Sequence, residues 1–295
     1  MTNEYHRMIY YQPDDDDPDL VRGMITYLGN GALLIAYGGM RIVADPCLRA
    51  DGLPPPVAPE PPEAILLSCV DDDDVALERA AALDREVPLI TTPDLVDLVE
   101  RHDFLNVHPL ETWRGIALRK GDASITITAL PGQDPASPER PLMGSMLEFR
   151  GYPDAEPYRV YLSGGTGAVD RLDEIADRYP HIDLGVITMT STRLDGTVVA
   201  IDARDAVRVL YKVKPALTIP VHRVDDIFTW PHRDFRRSLG NPPPRVHYLW
   251  PGNRYSFPVT ARHGHHVRPI PALPPAARTY GMAMAGDDGT GRISN

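Results

Sequence analysis

The sequence predicts an α/β protein folded as a four-layer αββα sandwich, with two β-sheets inside and helices on both outer faces. Two observations lead to this prediction. The chain divides into two halves, and each half runs mostly from β-rich segments into helical patterns. No repeat of fixed length is apparent, which argues against a solenoid or a propeller. With 295 residues and 43% hydrophobic content, the chain is long enough to bury a large core.

The elements of the first half follow from its apolar runs and turn residues. Residues 24–45 carry β-branched and aromatic side chains, a Gly38-Gly39 turn and an apolar run that ends at Asp45, which is typical of two or three consecutive strands. After a proline-rich surface loop we predict a strand at 64–68, a helix at about 74–85, a strand at 88–92 and a helix at 93–102.

The second half begins with further β-rich sequence and then alternates strands with helices. We predict β-structure through 125–132 and at 145–151, strands at 159–165, 183–189 and 216–222, and helices at 168–179 and 202–214. This order is typical of β-α-β units, whose parallel strands end at the same edge of a sheet.

Composition divides the chain into a central domain and two flanking segments. Residues 1–22 contain the acidic run 14–17 between prolines and are interpreted as an N-terminal extension. Residues 23–266 form the predicted domain, and residues 267–295, rich in proline and glycine, form the predicted C-terminal tail.

The charge of the chain limits its partners. A net charge of −11 argues against nucleic acid and anionic membranes, which basic surfaces bind, so a small molecule or another protein is expected. No apolar run reaches the roughly 18 to 20 residues of a membrane span, and the sequence opens without a signal-peptide pattern. We therefore expect a cytoplasmic protein in which Cys47 and Cys69 are free thiols or ligands. The 31 prolines, with abundant alanine and arginine, favour a bacterial origin.

The most informative segment is residues 64–74, AILLSCVDDDD, where a buried strand runs into four aspartates. Four such residues are most often a solvated turn or a helix start, since the helix dipole stabilises acidic groups there. The surrounding sequence favours a second interpretation, in which the aspartates belong to a site.

Eight segments around the aspartates resemble, in order, the landmarks of the metallo-β-lactamase superfamily. They are TYLGNGALLI, IVADP, ILLSCVDDDD, ITALPGQD, VYLSGGTG, IDLGVITM, IDARDAV and IPVH, between about residues 24 and 258. The most similar branch contains ascorbate-6-phosphate lactonase and N-acyl-phosphatidylethanolamine phospholipase D. The resemblance implies the αββα sandwich and hydrolysis of an ester, lactone or phosphodiester by a zinc-bound hydroxide.

Carried over residue by residue, the resemblance implies a rewritten metal site. The family motif T/S-H-x-H-x-D-H falls on Cys69, Asp71, Asp73 and Asp74, the later histidine on Asp134, the bridging aspartate on Gly165 and the last histidine on His222. Asn30 replaces the histidine of the first G-H motif. Only Asp73 and His222 keep their residue type. Because glycine has no side chain to bridge two metals, we do not expect a normal dinuclear zinc centre.

The candidate site consists of two sets of residues. The proposed catalytic groups, which are also the metal ligands if a metal binds, are Asp71, Asp73, Asp74, Asp134 and His222. The proposed lining of the substrate pocket is Cys69, Asn30, Asp45, Gly165 and Thr166.

Three arrangements of these carboxylates remain open. Crowded carboxylates repel one another, so they can hold one divalent cation, which would be Mn²⁺, Mg²⁺ or Fe²⁺, or Zn²⁺ if the Cys69 thiolate takes part. They can instead share a proton as a metal-free acid–base pair. In the third arrangement the aspartates are solvated and carry no chemistry.

Smaller signals allow further hypotheses. Cys69 can act as a nucleophile with His222 as its base, and His263, His265 and His266 can bind a metal or form an exposed polar stretch. The segment GGTG at 164–167 lacks the lysine of a phosphate loop and is interpreted as a turn.

We expect a hydrolase-like or lyase-like enzyme of specialised metabolism that acts on a small ester, lactone or thioester. The alternatives are an inactive protein that binds a metabolite or a partner, and a metal-free cyclase or isomerase.

Overall fold

A computed structural model describes the chain in segments separated by gaps. It describes the backbone of residues 7–11, 193–194 and 197–198, and residues 22–46, 61–69, 84–133, 142–164, 166, 171–190, 203–223, 231–240 and 243–260.

Strands form two seven-stranded sheets and one short hairpin. In chain order the strands are β1 (Arg7–Tyr11), β2 (Arg22–Gly29), β3 (Ala32–Tyr37), β4 (Met40–Ala44), β5 (Ala64–Leu66), β6 (Leu89–Thr91), β7 (Val107–Pro109), β8 (Gly115–Lys120), β9 (Ala123–Leu130), β10 (Gly144–Arg150), β11 (Tyr158–Leu162), β12 (Leu184–Thr190), β13 (Arg193–Leu194), β14 (Thr197–Val198), β15 (Leu217–Arg223) and β16 (Arg254–Pro258). The first sheet has the order β16-β2-β3-β4-β5-β6-β7, and the second sheet has the order β1-β8-β9-β10-β11-β12-β15.

The described helices are short and follow the strands. A 3₁₀ turn at Pro93–Leu95 leads into α1 (Val96–Arg101), and the later helices are α2 (Leu172–Arg178), α3 (Ala203–Val213) and α4 (Pro231–Ser238). Helix α4 has proline as its first residue, where the missing N–H of proline is not needed.

Apolar side chains on the facing sides of the two sheets form the main core. Ile25 and Ile35 of the first sheet belong to the same buried cluster as Ile127 and Leu147 of the second sheet. Successive side chains of a strand point to opposite faces of its sheet. Met146, the residue before Leu147 on β10, therefore belongs to a second cluster on the other face.

Helices cover the other face of each sheet. The second cluster joins Met146 and Ile187 of the second sheet to Ile175 of α2 and Leu210 of α3. A third cluster joins Ile65 and Leu89 of the first sheet to Val99 of α1. The order of layers is therefore helix, sheet, sheet, helix, and the predicted αββα sandwich is confirmed.

The strand predictions agree closely with the structure. Residues 24–45 form β2, β3 and β4, and the predicted strands at 88–92, 145–151, 183–189 and 216–222 correspond to β6, β10, β12 and β15. The predicted helices at 93–102 and 202–214 are present as the 3₁₀ turn with α1 and as α3.

Three local predictions differ from the structure. The helix expected at 74–85 lies mostly outside the described residues, and its expected end is wrong because the Asp84 carboxylate accepts the Glu86 N–H in a turn. Strand β1 lies in the predicted N-terminal extension and pairs in parallel with β8, whereas the domain boundary at residue 22 stays a prediction. Helix α4 had not been predicted.

In the part of the chain that the structure describes, no helix combines the length and the apolar character that crossing a bilayer requires.

An aromatic stack fixes the position of β16 against the sandwich. The ring of Phe257 is fully buried, lies parallel to Tyr158 at 4.5 Å between centroids and meets the edge of Phe149 at 4.9 Å. Gly23 on the neighbouring strand leaves room for this ring, since a Cβ atom there would lie 2.0 Å from the Phe257 ring.

We therefore predict that Gly23→Ala lowers the free energy of unfolding by about 1–3 kcal/mol, because the enclosed ring cannot move aside. Denaturant unfolding of Gly23→Ala, with Gly144→Ala as control, measures the effect. The nearest atom to a Cβ at Gly144 lies at an ordinary 3.4 Å, so equal losses in both variants would contradict this explanation.

Candidate functional site

Asp45 and Ser68 follow two neighbouring parallel strands and meet at one edge of the first sheet. Asp45 comes directly after β4 and Ser68 comes shortly after β5, which pairs with β4 in parallel. The Asp45 N–H donates to the Leu66 carbonyl at 2.8 Å, and the Ser68 N–H donates to Asp45 Oδ1 at 2.7 Å. Asp45 has a φ of +46°, which aspartate tolerates better than most residues. These bonds fix Ser68, which two residues separate from the run of four aspartates at 71–74 in the sequence.

The Ser68 hydroxyl links this edge to the second sheet. Its Oγ lies 2.8 and 2.7 Å from the two carboxylate oxygens of Asp45 and 3.1 Å from the Gly164 carbonyl, just after β11. A hydroxyl has one hydrogen to donate, so the shorter carboxylate contacts take most of it. The Ser68 carbonyl also accepts the Met143 N–H at 2.9 Å. We call Asp45, Ser68 and Gly164 the brace.

The brace requires glycine at position 164. Gly164 has a φ of +60°, and a Cβ atom there would lie 2.4 Å from the Met143 carbonyl oxygen and 2.7 Å from the Ser68 Cβ. Any side chain would therefore separate the two sheets at this edge.

Ser163 and Thr166 lie on either side of the Gly164-Gly165 pair and are fully buried. The Ser163 hydroxyl accepts the Thr188 N–H at 2.8 Å, which ties the end of β11 to β12. The Thr166 N–H donates to the Ser163 carbonyl at 2.9 Å. The Thr166 Oγ1 has no hydrogen-bond partner within the described residues.

His222 stands near the end of β15, where Tyr27 reaches it from the first sheet. The Tyr27 hydroxyl donates to the His222 carbonyl at 2.7 Å, and the two ring centroids are 6.2 Å apart. Burial lowers the pKa of His222, so its ring is neutral at pH 7 and able to accept a proton.

Two turns lie beside Tyr27 at the same edge. In turn 29–31, which carries Asn30, all three residues have a positive φ. Turn 250–253 is bound to Tyr27 at both backbone groups, because the Tyr27 N–H donates to the Asn253 carbonyl at 3.0 Å and the Gly252 N–H donates to the Tyr27 carbonyl at 2.7 Å. Turn 250–253 is therefore bound to the same residue whose hydroxyl contacts His222.

Cys69 is buried, with 6% of its surface exposed, and its Sγ lies 4.0 Å from the Ser68 Oγ. The residue before Ser68 is also fixed, since the Thr91 hydroxyl donates to the Leu67 carbonyl at 3.0 Å. A buried thiol at this position is in contact with the brace, and its role as a nucleophile stays a hypothesis.

The structure describes about half of the predicted site residues. It places Asp45, Cys69, Asn30, Thr166 and His222 at the edge where strands of both sheets end. Outside the described residues lie Asp71, Asp73, Asp74, Asp134 and Gly165, as well as Cys47 and the histidines His263, His265 and His266.

The described residues do not by themselves fit the zinc centre that the resemblance implies. Structural and catalytic zinc sites use three or four nitrogen, sulfur or oxygen ligands from the protein. Among the residues with described positions, no three His, Cys, Asp or Glu side chains form such a group, and both oxygens of Asp45 are in contact with Ser68. A metal at this edge would need the aspartates that lie beyond the described segments.

Sequence reasoning missed Ser68, Gly164 and Tyr27 as contributors to the site. Ser68 occupies the T/S position that precedes the family motif, which was the available signal. No local pattern in the sequence marks Gly164, whose constraint comes from contacts with Met143 and Ser68, and Tyr27 looks in the sequence like any buried strand residue.

Comparison with solved structures shows the same fold in two hydrolases and a hydroxylase. A metallo hydrolase from the archaeon Ignicoccus hospitalis superposes with a TM-score of 0.60 at 16% identity, covering 81% of this chain and 100% of that chain. An isothiocyanate hydrolase from Delia radicum gut bacteria gives a TM-score of 0.59 at 17% identity, with coverages of 80% and 100%. CmlA, a diiron β-hydroxylase from Streptomyces venezuelae, gives 0.58 at 14% identity, covering 83% of this chain and 55% of that chain.

These identities establish a common fold and nothing further about chemistry. No curated protein sequence matches the chain. The family model described as a beta-lactamase superfamily domain matches residues 40–223, which is more than half of the chain and includes Asp45, Ser68, Gly164 and His222. The chain therefore belongs to the beta-lactamase superfamily domain family.

Proposed function

We propose that the chain is a hydrolase-like or lyase-like enzyme that acts on a small ester, lactone or thioester at the edge described above. The observation that carries the proposal is the pair of links between the two sheets. The Met143 N–H, directly before β10, donates to the Ser68 carbonyl at 2.9 Å, and the Tyr27 hydroxyl donates to the His222 carbonyl at 2.7 Å. They hold loops from several strand ends in one place, as a preorganised site requires.

In the proposed reaction His222 is the general base. Its neutral ring takes a proton from water, the water oxygen bonds to the carbonyl carbon of the substrate, and the bond from that carbon to the leaving oxygen or sulfur breaks. The leaving group receives a proton from one of the carboxyl groups of Asp71, Asp73, Asp74 or Asp134. The proposal requires one of these carboxyl groups to be protonated, which is the state that repulsion between neighbouring carboxylates favours.

The family membership supports hydrolysis without naming a substrate. The lactonase and phospholipase D branch named by the sequence resemblance favours ester-type substrates, and we retain that placement as part of the proposal. The net charge of −11 favours a small-molecule substrate over nucleic acid. The proposal also retains a bacterial origin, which the abundance of proline, alanine and arginine favours, and a cytoplasmic location and a role in specialised metabolism as untested parts.

Hydrolysis assays test the proposal directly. We expect the full chain to cleave at least one of p-nitrophenyl acetate, γ-butyrolactone and S-phenyl thioacetate, with and without added Mn²⁺, Mg²⁺ or Zn²⁺. His222→Asn is expected to lower kcat about 100-fold, the usual contribution of a general base. Because burial lowers the pKa of His222, activity should persist at pH 6.5 and fall only at more acidic pH.

His247→Asn is the matched control. Burial lowers the pKa of His247 too. The backbone N–H of His247 donates to the Thr218 carbonyl, however, which lies near the opposite end of β15 from His222. Unchanged turnover in His222→Asn would show that His222 is not the general base. No turnover of any probe under any metal condition would favour the binding-protein alternative.

A second prediction concerns the brace. Ser68→Ala removes the hydroxyl from the partly buried Asp45 carboxylate and should lower the free energy of unfolding by about 1–3 kcal/mol. Ser145→Ala is the control, because the Ser145 hydroxyl is buried without a hydrogen-bond partner in the described part of the chain. Urea unfolding of both variants measures the difference, and equal stability losses would show that the brace does not stabilise this edge.

A further inference from the structure

Tyr27 makes more hydrogen bonds than its place in the core requires. Its side chain is fully buried, yet its hydroxyl donates to the His222 carbonyl at 2.7 Å and lies 3.4 Å from the His222 nitrogen. Backbone groups of Gly31 and Asn30 also bond this oxygen. Burial raises the pKa of Tyr27 to about 12 even though these backbone bonds act in the opposite direction.

Tyr37 is a second tyrosine in the same core and serves as a comparison for Tyr27. It lies on the neighbouring strand β3, is 1% exposed and packs edge to face on Phe149. Its hydroxyl has no hydrogen-bond partner among the described residues. A tyrosine can therefore be buried between the sheets although its hydroxyl forms no hydrogen bond with the described residues. The hydrogen bonds of the Tyr27 hydroxyl need a separate explanation.

Through its backbone and its hydroxyl, Tyr27 connects three segments that are far apart in the sequence. The hydroxyl joins turn 29–31 to His222, which is 195 residues away in the chain. The N–H and carbonyl of Tyr27 hold turn 250–253. Without the hydroxyl, the partly buried backbone groups of His222 would lose a hydrogen-bond partner.

We propose that Tyr27 is a positioning residue of the site, whose hydroxyl fixes the backbone of His222 against turn 29–31 and so holds the imidazole in one orientation. The inference rests on the proposed function only for the role of His222 as base. Tyr27 itself lies behind the histidine backbone and takes no part in bond making or breaking.

The test compares Tyr27→Phe with Tyr37→Phe in the full chain. Histidine labelled with ¹³C in the ring gives a signal for His222, which is assigned by its loss in His222→Asn. In Tyr27→Phe we expect the His222 ring signal at pH 7 to shift and to broaden or split, because the ring samples several orientations. In Tyr37→Phe we expect the wild-type signal, since the lost hydroxyl bonds nothing described.

Two further readouts accompany the spectra. The midpoint of thermal unfolding should fall by roughly 5 °C in Tyr27→Phe and by less than about 1 °C in Tyr37→Phe. If the wild type turns over one of the probe substrates, Tyr27→Phe should lower kcat about tenfold and leave KM within about twofold, because the residue orients the base and does not bind substrate.

The outcomes separate this inference from the proposed function. An unchanged His222 signal in Tyr27→Phe overturns the positioning role, whether or not the protein is an enzyme. Absence of turnover in the wild type contradicts the proposed function, while the ring spectra still decide the role of Tyr27. If Tyr27→Phe does not fold, a nuclear Overhauser contact in the wild type between the Tyr27 ring and the His222 amide tests the same link, and its absence would overturn it.

Discussion

The hydrogen bonding of the Ser68 side chain is the constraint on which the site depends. A carboxylate placed at the end of a buried strand is costly unless its oxygens are satisfied, and Asp45 receives both the N–H and the hydroxyl of Ser68. The same hydroxyl meets the Gly164 carbonyl of the other sheet, and the Ser68 carbonyl accepts from Met143. One serine therefore contacts the strand ends of both sheets.

This arrangement gives a physical reason why the strand ends of the two sheets stay aligned. The brace and the bond between Tyr27 and His222 join segments that are distant in the sequence, and they use neutral groups and one carboxylate. The described positions of Ser68 and His222 are therefore fixed by the protein's own hydrogen bonds.

Sequence patterns were sufficient for the layers of the fold but not for the links between them. The β-branched and aromatic residues and the Gly38-Gly39 turn predicted β2 to β4, and the apolar run before Asp45 predicted where β4 ends. The bonds from Ser68 to Gly164 and from Tyr27 to His222 span 96 and 195 positions. Nothing in the local sequence distinguishes Tyr27 from Tyr37, since both are buried strand tyrosines and only the tertiary structure gives one of them a partner. Strand β1 was missed because its short run lies in a polar, acidic segment.

The central question is whether the four aspartates at 71–74 form a crowded acidic site. The most direct test is thermal unfolding of Asp73→Asn at pH 7 in the presence of a chelator. Asp15→Asn, in the other run of four aspartates at 14–17, is the control. Asparagine caps helices as well as aspartate does, so the substitution changes mainly charge. Crowded carboxylates repel, and the account predicts that Asp73→Asn raises the midpoint by about 2–4 °C more than Asp15→Asn. A solvated helix start would instead lose favourable dipole interactions. An unchanged or lower midpoint for Asp73→Asn, relative to Asp15→Asn, would contradict the account.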